Sequence, residues 1–227
     1  MLGMMNRMRK ISNSYFFSVE GETEKWYLDW LQKEINSELS STHNAGIKAK
    51  VEKDPMRFVK TIPILNKTEV WHLFDYEGST ASNQYVQHIF ESTLENMKKA
   101  EKHKNIKYKL GYCNLSFELW MILHKQDCNG SLNKVDQYLP ILNAAYQMKC
   151  TRLSDYKEEM RFKKCLAQLS LENVKKAIER AEGMVHDLQE SDVKLSNFSG
   201  YQYYSKNPSL SIHEPIKNIL CDCGLYI

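Results

Sequence analysis

The sequence predicts an α/β fold with a mostly parallel central sheet flanked by helices and a mainly helical C-terminal portion. Short apolar and β-branched runs at 15–19, 70–74 and 108–112 alternate with segments of helical period in the first half of the chain. That alternation marks βαβ units, which lay parallel strands side by side. Beyond Asp127 the strand signals fade and amphipathic helices follow one another. The expected organisation is an α/β core at 1–126 with a helical extension at 127–227 packed on it, or one single domain.

The elements follow in order. Tyr15-Phe16-Phe17-Ser18-Val19 reads as a buried strand. It runs into Glu20-Gly21-Glu22-Thr23-Glu24, with Gly21 at the corner, where a tight turn or a close backbone approach costs least. Tyr27, Leu28, Leu31, Ile35 and Leu39 recur at helical spacing, so 24–39 reads as a helix with Thr23 as its N-cap. After a loop at 40–44, Ile47, Ala49 and Val51 alternate with charged residues, the pattern of a half-exposed edge strand. Asp54-Pro55 starts a helix that runs to about Asn66, with a kink or stop at Pro63. Val70-Trp71-His72-Leu73-Phe74 is the next strand. A long helix follows at 81–103, with Tyr85, Ile89, Thr93, Leu94 and Met97 on one face. Tyr108, Leu110 and Tyr112 alternate as a further strand, after which Leu119-Trp120-Met121-Ile122-Leu123 is apolar nearly all round and should be a buried helix.

The second half opens on a turn at Cys128-Asn129-Gly130-Ser131. Helices are expected at 132–145, around 160–169 and at 170–190, the last with a stripe of Leu171, Val174, Ile178, Ala181, Val185 and Leu188. Residues 197–208 read as a loop whose Tyr201, Tyr203 and Tyr204 either pack over a domain edge, the commoner use, or stack on bases. A final helix carries Ile212, Ile216, Ile219 and Leu220 and ends at Gly224.

Composition excludes several classes. The chain has 227 residues, 42% of them apolar and 26% charged, ordinary for a soluble protein with a substantial core. No apolar run approaches the roughly 20 residues of a membrane-spanning helix. Arg7, Arg9 and Lys10 precede only a strand-length apolar stretch, not a signal peptide. The six cysteines form no C-x-x-C pair, so free thiols in a reducing cytoplasm are expected and a structural zinc is not. A net charge of +3 is too small to establish a nucleic-acid partner by itself.

The chemistry concentrates at two strand ends. In open α/β sheets, ligands bind outside the carboxyl ends of the strands. Glu20 ends the first strand, and Asp75 and Glu77 follow the 70–74 strand. Residues i and i+2 of an extended chain share a side, so Asp75 and Glu77 could converge with Glu20 on one cation. Hard carboxylate oxygens suit Mg²⁺ or Mn²⁺. Glu22 and Glu24 are also favourable simply as charges at a helix N-terminus. Glu118 entering an apolar helix must be paired, bound to metal or set at a cleft, or else it satisfies free backbone N–H groups. His124 reads as the end of a core helix before it reads as a ligand. Lys98, Lys99, Lys102, His103, Lys104, Lys107 and Lys109 make a basic run that is either a solvated face or a phosphate-contacting patch.

Val19-Glu20-Gly21-Glu22-Thr23-Glu24, Phe74-Asp75-Tyr76-Glu77-Gly78 and the block from Asn114 to His124 resemble the motifs of RloB-like proteins, within the wider Toprim-like group. The block is similar to the family's N-P-x-F-E-L-W-L-L-L-H. Tyr156-Lys157 and Asn207-Pro208-Ser209-Leu210-Ser211-Ile212-His213 resemble two later family positions. Leu115 replaces the family's Pro, and Glu77 replaces the second Asp of a D-x-D, which lengthens that presumed ligand by one methylene. The resemblance implies a Toprim-like core and a Mg²⁺- or Mn²⁺-dependent nuclease. Glu20, Asp75 and Glu77 would be its metal ligands, Glu24 and Glu118 further catalytic candidates, and Lys157 a phosphate contact. It also implies a role in bacterial anti-phage defence beside an ABC- or AAA-type ATPase, with RNA, tRNA included, as first substrate and DNA as second. A non-catalytic binding subunit of such an ATPase is the alternative, and the sequence leaves a homo-oligomer open.

Overall fold

A computed structural model describes residues 10–63, 66–77, 84–103, 105–128, 130 and 132–227. Its centre is a five-stranded sheet. β1 (Ser12–Val19), β2 (Asn44–Val51), β3 (Thr68–Asp75) and β4 (Ile106–Asn114) run parallel, and β7 (Ser209–Leu210) joins β4 antiparallel, giving the order β2-β1-β3-β4-β7. The register aligns Val19 with Leu73 and Asp75 with Cys113, so β1, β3 and β4 end side by side.

Alternation along the strands sends neighbouring residues into two separate cores. Phe17, Trp71, Leu73 and Cys113 face one side. There they meet α1 (Glu22–Ser37), α4 (Glu118–Leu123), α5 (Tyr138–Tyr146), α6 (Leu153–Tyr156), α7 (Glu159–Leu166), α8 (Leu171–Gln189) and α9 (His213–Asp222). Phe16, Val70, Phe74, Tyr108 and Tyr112 face the other side, covered by α2 (Pro55–Thr61), α3 (Gln84–Glu101) and the hairpin of β5 (Leu195–Phe198) and β6 (Tyr201–Tyr204). The helices from the C-terminal half thus share one core with α1. The architecture is consistent with a Toprim-like fold.

Most elements fall where periodicity places them. α1 ends at Ser37, so Leu39, expected on its face, lies beyond it and is 74% exposed, and β7 is not among the expected elements. The start of α1, the end of α2, the core face of α3 and the 197–208 segment also differ. The N-cap of α1 is Gly21; Thr23 lies inside the helix and donates its hydroxyl to Glu24 Oε2 at 3.0 Å. α2 is held by the Asp54 carboxylate, which accepts from the Met56 and Arg57 N–H groups, and it stops at Thr61, two residues before the proline. α3 buries Phe90, Leu94, Met97 and Ala100, leaving Tyr85 and Ile89 exposed at 73% and 48%, so the core face is rotated from the predicted one. The expected loop at 197–208 contains most of the β5–β6 hairpin. Tyr201, Tyr203 and Tyr204 are buried, and the Tyr203 ring packs against Tyr76, Phe90 and Tyr112, so these rings serve packing. Gly224 ends the chain's last helix with φ +70°, a left-handed cap that suits glycine. Among the described residues no helix is long and apolar enough to cross a membrane.

Candidate metal centre

The carboxyl ends of β1 and β3, the first turn of α1 and the end of α6 enclose a cavity of about 270 Å³. Glu20, Glu24, Asp75, Glu77, Lys53 and Lys157 all line it. Glu20 is half-buried and makes two contacts. Its Oε2 accepts from the Asp75 backbone N–H at 3.1 Å, which ties the two strand ends together, and its Oε1 pairs with Lys53 Nζ at 2.9 Å. Asp75 and Glu77, two residues apart, line the same cavity, with Glu77 on its exposed rim.

Glu24 is buried one turn into α1. A Cβ at position 21 would come within 3.0 Å of Glu24 Oε2, so Gly21 gives this carboxylate room to fold back over the turn. Glu118 is fully buried at the start of α4. Its Oε2 accepts from Ser116 Oγ at 2.6 Å, and its Oε1 forms an ion pair with Lys157 Nζ at 3.2 Å. Of the alternatives open for Glu118, pairing at a cleft is the one observed. The Lys157 side chain is 40% exposed, so it reaches the buried carboxylate from the open side.

Crowding of like charges shows in the acid–base properties. Burial, and next the negative charges of Glu24, Glu118 and Glu20, push Asp75 well above the usual carboxylate range. Burial, aided by Glu118, pushes Glu24 up to about 6 against the opposing pull of its own backbone, Thr23 and Lys157. Burial alone would lower Lys157, yet Glu118, Asp75 and Glu24 together hold it above its ordinary value. The hydrogen bond to Glu20 raises Lys53, against a smaller opposing effect of burial.

The chemistry of this donor set fits a hard divalent ion. Five carboxylates line one cavity, their mutual repulsion shows in the raised Asp75 and Glu24, and among the described residues no softer His or Cys ligand lines it. Among the described residues no three His, Cys, Asp or Glu side chains are gathered as a ready chelate. Lys53 and Lys157 instead lie among the carboxylates, so an ion would displace at least the Lys53–Glu20 pair.

His124 is structural. Its Nδ1–H donates to the Trp120 carbonyl at 2.8 Å, which leaves Nε2 to accept from the Tyr27 hydroxyl at 3.1 Å. Burial lowers it to about 3, so it is neutral. Lys102 follows the C-terminus of α3, near the start of β4, while the carboxylates sit past the strand ends. At about 3.3 Å per residue, the strand between places it roughly 20 Å or more from Asp75. Lys104 lies outside the described residues. Sequence reasoning missed Lys53. Its signal was position: a lysine just after β2, the neighbour of β1, lands beside the end of β1.

A family model described as RloB-like protein matches residues 15–219. The chain belongs to the RloB-like family. No curated protein and no solved structure matches the chain at a significant level. Every carboxylate and lysine of this RloB-like centre lies within the matched span.

Proposed function

We propose that this RloB-like chain is a Mg²⁺- or Mn²⁺-dependent nuclease that cuts RNA, tRNA included, in bacterial anti-phage defence. One observation carries the reading: five acidic side chains, Glu20, Glu22, Glu24, Asp75 and Glu77, from the ends of β1 and β3 and the first turn of α1, line one small cavity, with Glu118 of α4 buried beside them. Asp75 and Glu24 are driven upward in pKa by burial and then by neighbouring carboxylates, Glu118 among them. Strongly perturbed acids in a cleft are the expected mark of a reactive site.

Glu20, Asp75 and Glu77 would hold the ion, which supplies Lewis-acid polarisation of a phosphate and of the attacking water. The chain's own groups do the rest. The Asp75 N–H fixes the Glu20 carboxylate and so presets the angle between the two strand ends. Glu24, with its raised pKa, is suited to exchange a proton near neutral pH. Glu118 acts through Lys157, holding that ammonium at the cavity mouth, where it can meet a phosphate oxygen. Lys53, released from Glu20, becomes a second cation for the same anionic chain.

The rival reading, a non-catalytic subunit of an ATPase-containing defence complex, draws on the lysines that occupy the carboxylates here. Incubation of the purified protein with total RNA and with plasmid DNA, each with Mn²⁺ and with chelator, separates the readings. Metal-dependent cuts in RNA with defined ends, lost in Asp75→Asn, are expected. Cutting of DNA alone would reassign the substrate, and intact RNA and DNA at every metal concentration would favour the rival.

A further inference from the structure

A second cavity of about 440 Å³ opens beside the carboxylates and shares Glu20, Lys53, Asp75 and Glu77 with them. Its far wall has a different chemistry. Tyr85 and Ile89, one turn apart on α3, stand exposed, and behind them Phe74 and Phe90 stack at 4.6 Å. His72 contributes to the lining. Its Nδ1 meets Ser18 Oγ at 2.6 Å, and burial lowers it to about 4, so it is a neutral hydrogen-bonding edge. α3 has enough apolar residues to bury others, yet it leaves a tyrosine and an isoleucine in water at this spot. The result is a slot with aromatic and aliphatic sides, a polar end at His72 and a mouth that opens directly onto the acidic cavity.

We propose that this slot binds one nucleobase, that of a nucleotide flanking the scissile phosphate, with the Tyr85 ring stacked on the base. This inference deepens the nuclease reading and rests on it for the word scissile. The volume accommodates a nucleoside, and a flat, uncharged, hydrogen-bonding ring is the part of a nucleic acid that an aromatic slot prefers to water. Continuity with the carboxylates through Lys53 provides a path for the phosphate that follows the base. Stacking tolerates every base, so preference among bases would come from the His72 edge.

An uncharged probe separates this site from the metal centre, because the carboxylates do not repel it. Binding of 2-aminopurine riboside to the full chain, without metal, is read by fluorescence quenching and saturation-transfer NMR. Wild type and Tyr85→Phe should bind with similar affinity, and Tyr85→Ala should bind at least about five-fold more weakly, the lower end of base-stacking effects. Ile89→Asn, also at an exposed position, should weaken binding as well. Equal affinity of Tyr85→Ala and wild type, or no wild-type binding into the millimolar range, would overturn the proposal. Melting of the same samples with Mn²⁺ reports on the carboxylates separately. A failed metal response with intact nucleoside binding would indict the nuclease reading and leave the slot standing.

Discussion

Replacement of Glu24 by Gln should stabilise the metal-free protein, and only above a definite pH. In the folded chain burial, with Glu118 beside it, moves the Glu24 carboxyl from 4.5 up to about 6, so the folded state keeps this proton to higher pH than the unfolded chain does. The associated stability is fully present below the unfolded pKa near 4.5 and is lost as pH rises through about 6. The size of the loss follows from the width of that window, about 2 kcal/mol at 1.36 kcal/mol for each tenfold change. Gln has the same shape, cannot ionise and still accepts from Thr23. At pH 8 the variant should therefore exceed wild type by up to about 2 kcal/mol, a rise in Tm of about 4–8 °C for a chain of this size. Near pH 4.5 the two should coincide. Asp75, raised well above its ordinary range by burial and then by Glu24, Glu118 and Glu20, extends the wild-type loss to higher pH. Chemical denaturation in chelator from pH 4.5 to 8.5 measures the difference. A variant less stable than wild type at pH 8, or an offset that does not change with pH, would refute the account of crowded, desolvated carboxylates.

Three further outcomes are expected. Lys157→Met strips Glu118 of its partner; with the lysine 40% exposed, the loss should be about 1–3 kcal/mol, below the full range for a buried pair, and Glu118→Gln added to it should recover most of that in a denaturation cycle. Lys53→Met removes an exposed ion pair worth less than about 1 kcal/mol, so Tm should hardly move, while Mn²⁺ affinity measured by calorimetry should rise several-fold because Glu20 is released. Tyr203→Ala should cost about 3 kcal/mol of stability in the same denaturation assay, since its ring is buried against Tyr76, Phe90 and Tyr112; small loss with impaired nucleoside binding would instead make it a stacking platform.

Much of this was readable in the residues. The strands β1 and β3 announced themselves because each is apolar on both faces, as Phe16 and Phe17 show by entering opposite cores, and β2 and β4 by their alternation with lysines. The acidic turns were legible because carboxylates ending apolar strands have no packing use. The rotation of α3 was not, because Tyr85 and Ile89 satisfy the helical period as well as Phe90 and Leu94 do; only the position of the sheet decides which pair it covers. The hairpin at the tyrosines was hidden because β5 and β6 are four residues each, too short for a clear alternation. Lys53 was hidden because its meaning comes from the pairing of β2 with β1, a long-range fact.

Everything at this site depends on whether Glu20 and Asp75 hold a divalent ion in place of the lysines. Anomalous diffraction from Mn²⁺-soaked crystals measures this directly. The expected map has a peak between the ends of β1 and β3, within coordinating distance of both carboxylates, with Lys53 swung away from Glu20. Lys53 still on Glu20, Lys157 on Glu118 and no peak between them at saturating Mn²⁺ would contradict it.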